Sequence, residues 1–398
     1  MWKRILPVIG GIVCLYALAC NPEDVPTRHK IPKLSWIQPL IANLELAGTI
    51  TPVIGEGVVV FSFSRTFDTQ APLMGLNAET GNVEWKWTYL HPNSNKVGPK
   101  DYQYSFNGTL VYSTKGQIYG VNIKTGTVQW SNLIYENSRD YNEGWSDLVI
   151  NLFVEPQANK YYNEHLGVAN VQSGAWKTGY TLIGDEIWRP GVSSFTGMIS
   201  AETDTLLYFS GTYYRPDSLQ SKPFLKGYNI TTDTLLFEHE GPESFGFLEI
   251  YEDYLLAGGT YLRCYDRQTG VLRWQQNIPN GVNSSGVVIT GDKVLVNDGD
   301  NFAQKLHLFD IETGSRIWQS EVIETSSRLV VHKGVIYATG DRELKAINLE
   351  DGKLLWSIPS PHAKTISGAF FAPVVAIDPK TDRLFTSDYV YAMCYQLE

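Results

Sequence analysis

The chain has 398 residues, of which 43% are hydrophobic, 13% aromatic and 19% charged, so it has enough apolar material for one large or two ordinary cores and wholesale disorder is excluded. Its 32 Lys and Arg against 42 Asp and Glu give a formal net charge of −10, with no basic run beyond the first few positions, which excludes a general nucleic-acid binder. With 35 Gly and 19 Pro among many Tyr, Trp, Val and Ile, the composition points to short strands joined by turns.

The first element is an address. Lys3 and Arg4 precede an uncharged, mostly apolar run from Ile5 to Ala19, interrupted by Pro7 and two glycines and too short to span a bilayer comfortably. It ends Ala17-Leu18-Ala19-Cys20, and a small residue directly ahead of a Cys resembles the bacterial lipobox, in which that Cys is acylated and becomes the new amino terminus. Residues 1–19 are therefore expected to be a lipoprotein signal peptide and Cys20 the lipidation site. Losing Lys3 and Arg4 with the signal takes the net charge from −10 to −12. Residues 20–33 show no apolar periodicity and read as a flexible tether. Cys14 leaves with the signal, so Cys264 and Cys394 are the thiols of the folded part.

Leu34-Ser-Trp36-Ile-Gln38 follows as an isolated strand, and then a repeat begins. Gly75-Leu-Asn77-Ala-Glu-Thr80-Gly81-Asn-Val-Glu-Trp85 recurs as Gly120 to Trp130, Cys264 to Trp274, Leu308 to Trp318 and Ala346 to Trp356. Two worn copies lie between them: Asn170 to Trp176, with its Trp two places early, and Asn229 to Phe237, with Asp233 for Gly and Phe for Trp. Each part has a physical reason. The Asn or Asp side chain bonds the backbone of the turn, Gly supplies the positive φ of a bulged hairpin, and the Trp on the next strand buries against a neighbouring layer. Two further apolar runs precede each unit, as in Thr51–Ile54 with Val58–Phe63, making four strands per repeat.

Successive Trp positions are 37 to 61 residues apart, near the ~40–50 residues of a propeller blade. A final, incomplete unit runs from Pro373 to Gln396 and lacks its Trp strand, which Leu34–Gln38 can provide. The expected fold is all-β: an eight-bladed β-propeller of four-stranded antiparallel blades over residues 34–398, closed by the N-terminal strand completing the last blade. Cys264 and Cys394 then fall at matching places in blades roughly 135° apart, too far for a disulfide with its ~7 Å Cα limit, and are expected to be separate buried thiols.

The run Asn/Asp-x-x-Thr-Gly-x-x-x-Trp resembles the PQQ-like repeat of the quinoprotein alcohol dehydrogenase-like fold, over residues 34 to 396. That resemblance implies the propeller. It does not choose a function, because the family holds quinone-dependent dehydrogenases, BamB-like lipoproteins of outer-membrane β-barrel assembly, and binding or sensing domains. In the dehydrogenases the quinone is typically stacked between a Trp and a disulfide of adjacent cysteines, beside a calcium. This chain has no Cys-Cys pair, and nearly all its Trp occupy the repeated packing position.

Other chemistry is thinly represented. The seven His have no paired metal-binding spacing, neither a Gly-x-Ser-x-Gly nor a P-loop occurs, and Asp298-Gly-Asp300-Asn301 lacks the full ligand series of a calcium loop. No catalytic, cofactor-binding or metal-binding residue is assigned. Trp145, Tyr161, Tyr162, Tyr213, Tyr214 and Arg215 lie in the intervals that depart most from the repeat, and their types are rich in contact energy at interfaces. They are the candidate partner-binding residues, with packing as the alternative role. The expected protein is a monomeric, non-catalytic lipoprotein without a cofactor, anchored to the outer membrane on its periplasmic or surface face. It would bind a protein or an envelope component. A quinone- or metal-dependent oxidoreductase and a carbohydrate-binding surface lipoprotein are the alternatives.

Overall fold

The repeat unit is a hairpin whose turn is organised by its own side chain. In the computed structural model, Asn77 Oδ1 accepts the N–H groups of Glu79 and Thr80, both at 3.0 Å, and Gly81 closes the turn at φ +75°. Asn122, Asn170, Asp266 and Asp310 accept backbone N–H groups in the same way. In the worn copy Asp233 takes the glycine conformation at φ +56°. The structure describes residues 30–40, 49–63, 73–87, 104–114, 117–133, 142–145, 148–156, 162–182, 189–199, 205–215, 220–241, 245, 247–299, 304–340, 342–366 and 370–398. The expected signal peptide, Cys20 and the expected tether up to residue 29 lie outside these residues.

Among the described residues the strands form eight four-stranded antiparallel sheets, and no helix occurs. The first sheet runs through Thr49–Gly55, Val58–Phe63, Leu73–Asn77 and Val83–Trp87. The second to seventh begin at Tyr104–Phe106, Asn142–Trp145, Arg189–Ile199, Phe247–Tyr251, Val282–Thr290 and Val330–His332, and repeat this up-and-down order. The eighth takes Val375–Asp378, Arg383–Ser387 and Tyr391–Gln396 from one end of the chain and its outer strand, Lys33–Pro39, from the other. Leu34 pairs with Tyr395 and Trp36 with Cys394. This strand begins at Lys33, one residue earlier than its apolar pattern suggests. Each sheet touches the next, chiefly through its first strand, and the eighth touches the first. That is the arrangement of a β-propeller.

The core lies between sheets and is stitched by one contact repeated. Trp85, on the outer strand of the first sheet, donates its indole N–H to the Ile123 carbonyl of the second at 2.9 Å and lays its ring on Gly126. Trp130 does the same to Val171 and Gly174, Trp274 to Ile311 and Gly314, and Trp318 to Leu349 and Gly352. These glycines are needed twice over. Their φ is positive, and a Cβ at Gly126 would fall 2.5 Å from the Trp85 ring. Burying such a ring contributes on the order of 3 kcal/mol, so the stitches add up to much of the inter-sheet adhesion.

Where Phe237 replaces Trp, its ring still covers Gly270, but it has no N–H to donate. The hydroxyl of Tyr208 takes over, donating to the Arg267 carbonyl at 3.0 Å, the acceptor equivalent to Ile123. Opposite the docked rings, Cys264 pairs with Trp274 and Cys394 with Trp36, one thiol in the fifth sheet and one in the eighth. Both are buried and free, as their spacing in the sequence leads one to expect.

Candidate functional site

Within every sheet, the turns joining first to second and third to fourth strands lie at one end, called here the turn end. Connections from second to third strand, and links between sheets, lie at the other, the loop end. Turns of two to five residues leave little freedom at the turn end, and the longer links between sheets lie at the loop end.

The predicted interface residues separate along this axis. Trp145 pairs with Leu148 at the turn end of the third sheet, whereas Tyr162 pairs with Pro156 at its loop end. The nine-residue strand Leu148–Pro156 between them puts the two places on the order of 25 Å apart. Tyr213 and Tyr214 pair with Lys222 and Ser221 at the loop end of the fourth sheet, and Arg215 follows, its Nη1 donating to Gln220 Oε1 at 3.4 Å. Tyr161 lies outside the described residues. The Tyr213 ring packs on Phe224 at 4.7 Å between centroids, and Lys226 Nζ sits 5.5 Å from it. Lys226 is in turn ion-paired with Glu238 at 2.9 Å. Burial works against the Lys226 charge, yet the bonds to Tyr213 and Glu238 outweigh it and raise its pKa. Tyr213 thus serves the packing of the fourth sheet, whose first three strands run nine to eleven residues.

The sequence pattern missed a polar and aromatic cluster at the loop end where the seventh and eighth sheets meet. Asp388 is fully buried. Its Oδ1 accepts the Tyr391 N–H at 2.8 Å, and its Oδ2 accepts Ser360 Oγ–H at 2.6 Å and faces His362 Nδ1 at 2.9 Å. The His362 ring stacks on Tyr391 with centroids 4.0 Å apart. Ser360 therefore bonds the carboxylate and not the imidazole, so these three residues do not make a nucleophile–base–orienter chain. Beside them Phe370 meets Tyr389 edge to face at 5.2 Å, and the Arg342 guanidinium lies 5.1 Å from the Phe370 centroid. The usable signal was the register: Asp298 and Asp388 hold equivalent places at the end of a second strand.

Asp298 shows the same loop-closing role. Its Oδ1 accepts the Lys305 N–H at 2.8 Å, while its Oδ2 lies 3.5 Å from His307 Nε2. Burial holds His307 below the ordinary histidine pKa, and neither ring nitrogen has a hydrogen-bond partner among the described residues. Asp300 and Asn301 lie outside the described residues. Nowhere among the described residues do three His, Cys, Asp or Glu side chains converge as metal ligands. The quinone site of the family's dehydrogenases does not fit the donors among the described residues: the two thiols stand in different sheets, and the docked tryptophans are covered by the neighbouring sheet.

Four-stranded sheets joined by rings docked on glycines define a tryptophan-stitched β-propeller. The chain belongs to the PQQ-like repeat family: the family model described as outer membrane protein assembly factor BamB matches residues 33–218 and 244–397. A comparison with curated proteins finds no match. Among solved structures, BamB from Moraxella catarrhalis is 13% identical over 92% of this chain and 100% of its own, with a TM-score of 0.60. A quinohemoprotein alcohol dehydrogenase from Pseudomonas putida HK5 is 11% identical over 92% of this chain and 76% of its own, with a TM-score of 0.63. A europium-containing methanol dehydrogenase is 12% identical over 90% of this chain and 86% of its own, with a TM-score of 0.60. At such identities the likeness is one of fold, and this fold serves assembly factors and dehydrogenases alike.

Proposed function

We propose that this chain is a non-catalytic scaffold of the bacterial cell envelope, a monomer that binds a protein or an envelope component through its loop end and uses no cofactor. We also infer that its eight sheets make one ring sealed by Lys33–Pro39, and that Cys20 carries lipid and holds the ring at the outer membrane. The pairing of Lys33–Pro39 with the last strand and the contact of the eighth sheet with the first support the sealed ring. The Ala19-Cys20 sequence supports the anchor, and the description of the matched family as an outer membrane protein assembly factor supports the location.

The observation that carries the non-catalytic reading is the fate of the rings and thiols. Indoles of the kind that face the quinone in the dehydrogenases are spent on glycines of the next sheet, and the two thiols occupy separate sheets. A rigid ring with its longer connections at one end suits recognition. Calorimetric titration with pyrroloquinoline quinone and calcium is expected to give no saturable heat. A stoichiometric isotherm would replace this reading with the oxidoreductase.

A further inference from the structure

Tyr389 has φ +66°, and among the described residues it is the one aromatic in the left-handed region. It stands first inside the Asp388–Tyr391 turn, which the Asp388 N–H closes on the Tyr391 carbonyl at 3.1 Å. Glycine fills that place without cost, whereas a bulky side chain there strains the backbone. Glu56, Asn107, Asp233, Glu252, Lys333 and Asp382 also have positive φ, but they are polar residues in turns of the turn end; at the loop end the other described residue so placed is Arg342, at φ +68°. What the strained backbone presents at the loop end is a half-buried phenol ring, edge to face with half-buried Phe370 at 5.2 Å. Arg342 stands over Phe370 and is exposed.

We propose that Tyr389 and Arg342, held on either side of Phe370, form a binding site for an acidic sugar, the pyranose ring lying on the Tyr389 ring and its carboxylate meeting the Arg342 guanidinium. The C–H face of a sugar ring is flat, rigid and apolar, which suits a fixed aromatic platform. A guanidinium is planar and matches a carboxylate with two parallel hydrogen bonds. A chain of net charge −10 repels anions in general, so an exposed guanidinium beside an aromatic ring is where an anionic ligand gains a local attraction. Acidic peptides carry the carboxylate but offer no rigid C–H face to justify the backbone strain at Tyr389.

This inference rests on the loop end being the binding end and names the ligand class. The test is calorimetric titration of the full chain at low salt with galacturonic acid oligomers, with neutral galactose oligomers and with a glutamate-rich peptide. Saturable binding of the acidic oligomer is expected, with the neutral one at least tenfold weaker. Tyr389→Gly and Arg342→Gln should each lose at least tenfold. Glycine suits the turn better than tyrosine, so Tyr389→Gly should keep a cooperative melt, and a loss of binding there cannot be assigned to unfolding. Equal binding of the neutral oligomer, unchanged binding by Tyr389→Gly, no heat with the acidic oligomer, or binding of the peptide alone would each overturn the inference. The quinone titration reports separately on the scaffold reading, so the two fail independently.

Discussion

Trp36 lies on Gly81, sixth in a series of docked rings yet the first in the chain. Its indole N–H donates to the Ala78 carbonyl at 3.2 Å, and a Cβ on Gly81 would fall 2.6 Å from the ring. The N-terminal strand thus joins the eighth sheet to the first with the same stitch that joins first to second. Gly57 has a nearly identical φ, +76° against +75°, with nothing within 4 Å of its Cβ position. Gly57→Ala is expected to cost about 1 kcal/mol, the left-handed penalty alone, and Gly81→Ala about 3 kcal/mol. Equal midpoints for the two variants in urea would show that the Trp36 contact contributes nothing.

Tyr208 and Phe237 divide between them what a docked tryptophan does alone. Tyr208→Phe removes the hydroxyl that donates to the Arg267 carbonyl and should cost about 1 kcal/mol. Phe237→Trp, which restores an N–H at the usual place, should recover most of that loss in the Tyr208→Phe background. A double-mutant cycle by chemical denaturation measures the coupling, and additive effects would refute the substitution of one donor for the other.

Asp266 tests the charge of a turn apart from its geometry. Its carboxylate is held at about 2, first by the Arg273 guanidinium at 2.6 Å and then by the Thr269 N–H. The folded pKa lies below the unfolded value, so the stabilisation is complete above about pH 4 and is lost as pH falls through about 2. Asp266→Asn keeps the turn-capping oxygen that Asn77 and Asn122 already supply. It should cost about 0.5–1 kcal/mol at pH 7, a modest figure because both partners are partly exposed, and the gap to the parent should shrink on acidification. A gap that does not change between pH 7 and pH 2 would assign the effect to something other than the charge.

His307 has the opposite electrostatic character. Burial depresses its pKa, so protonation is disfavoured in the folded protein and stability falls as pH drops below about 6.5 toward the folded value. His307→Phe should flatten the stability profile between pH 6.5 and pH 5, while at pH 7 it stays within about 1 kcal/mol of the parent. Thermal melts across that range check this; an unchanged slope would count against it.

Cys264 and Cys394 are pushed up to about 12 by burial. At pH 8 iodoacetamide should leave both untouched in the folded protein and label both after unfolding without reductant. Peptide mapping reads each site, and absence of label on the unfolded chain would reveal a disulfide.

Much of this structure was legible in the chain because its repeat is local. Asn77 caps a turn two and three residues away, Gly81 supplies the φ that closes it, and Trp85 follows four places later on the next strand. Hydrogen bonds that short act on any such stretch, and five good copies disclose the four-stranded unit. The partner of Leu34–Gln38 was legible for a related reason: a lone strand with Trp and a last unit without one are complementary deficits. Less could be read where the copies wear out. Tyr162 and Trp145 share an irregular stretch, but which end of a sheet a residue occupies depends on strand lengths that no turn signal marks there.

Residue chemistry along the chain determined the hairpins, their glycines and their rings, since each follows from torsional preference and hydrogen bonding over about ten residues. Tertiary structure alone decided that Ser360 and His362 meet Asp388, that Tyr208 donates on behalf of Phe237, and that Tyr389 and Arg342 flank Phe370. Those contacts join segments brought together by sheet packing. Their geometry depends on the register of strands far apart in the sequence, to which the side chains themselves carry no pointer.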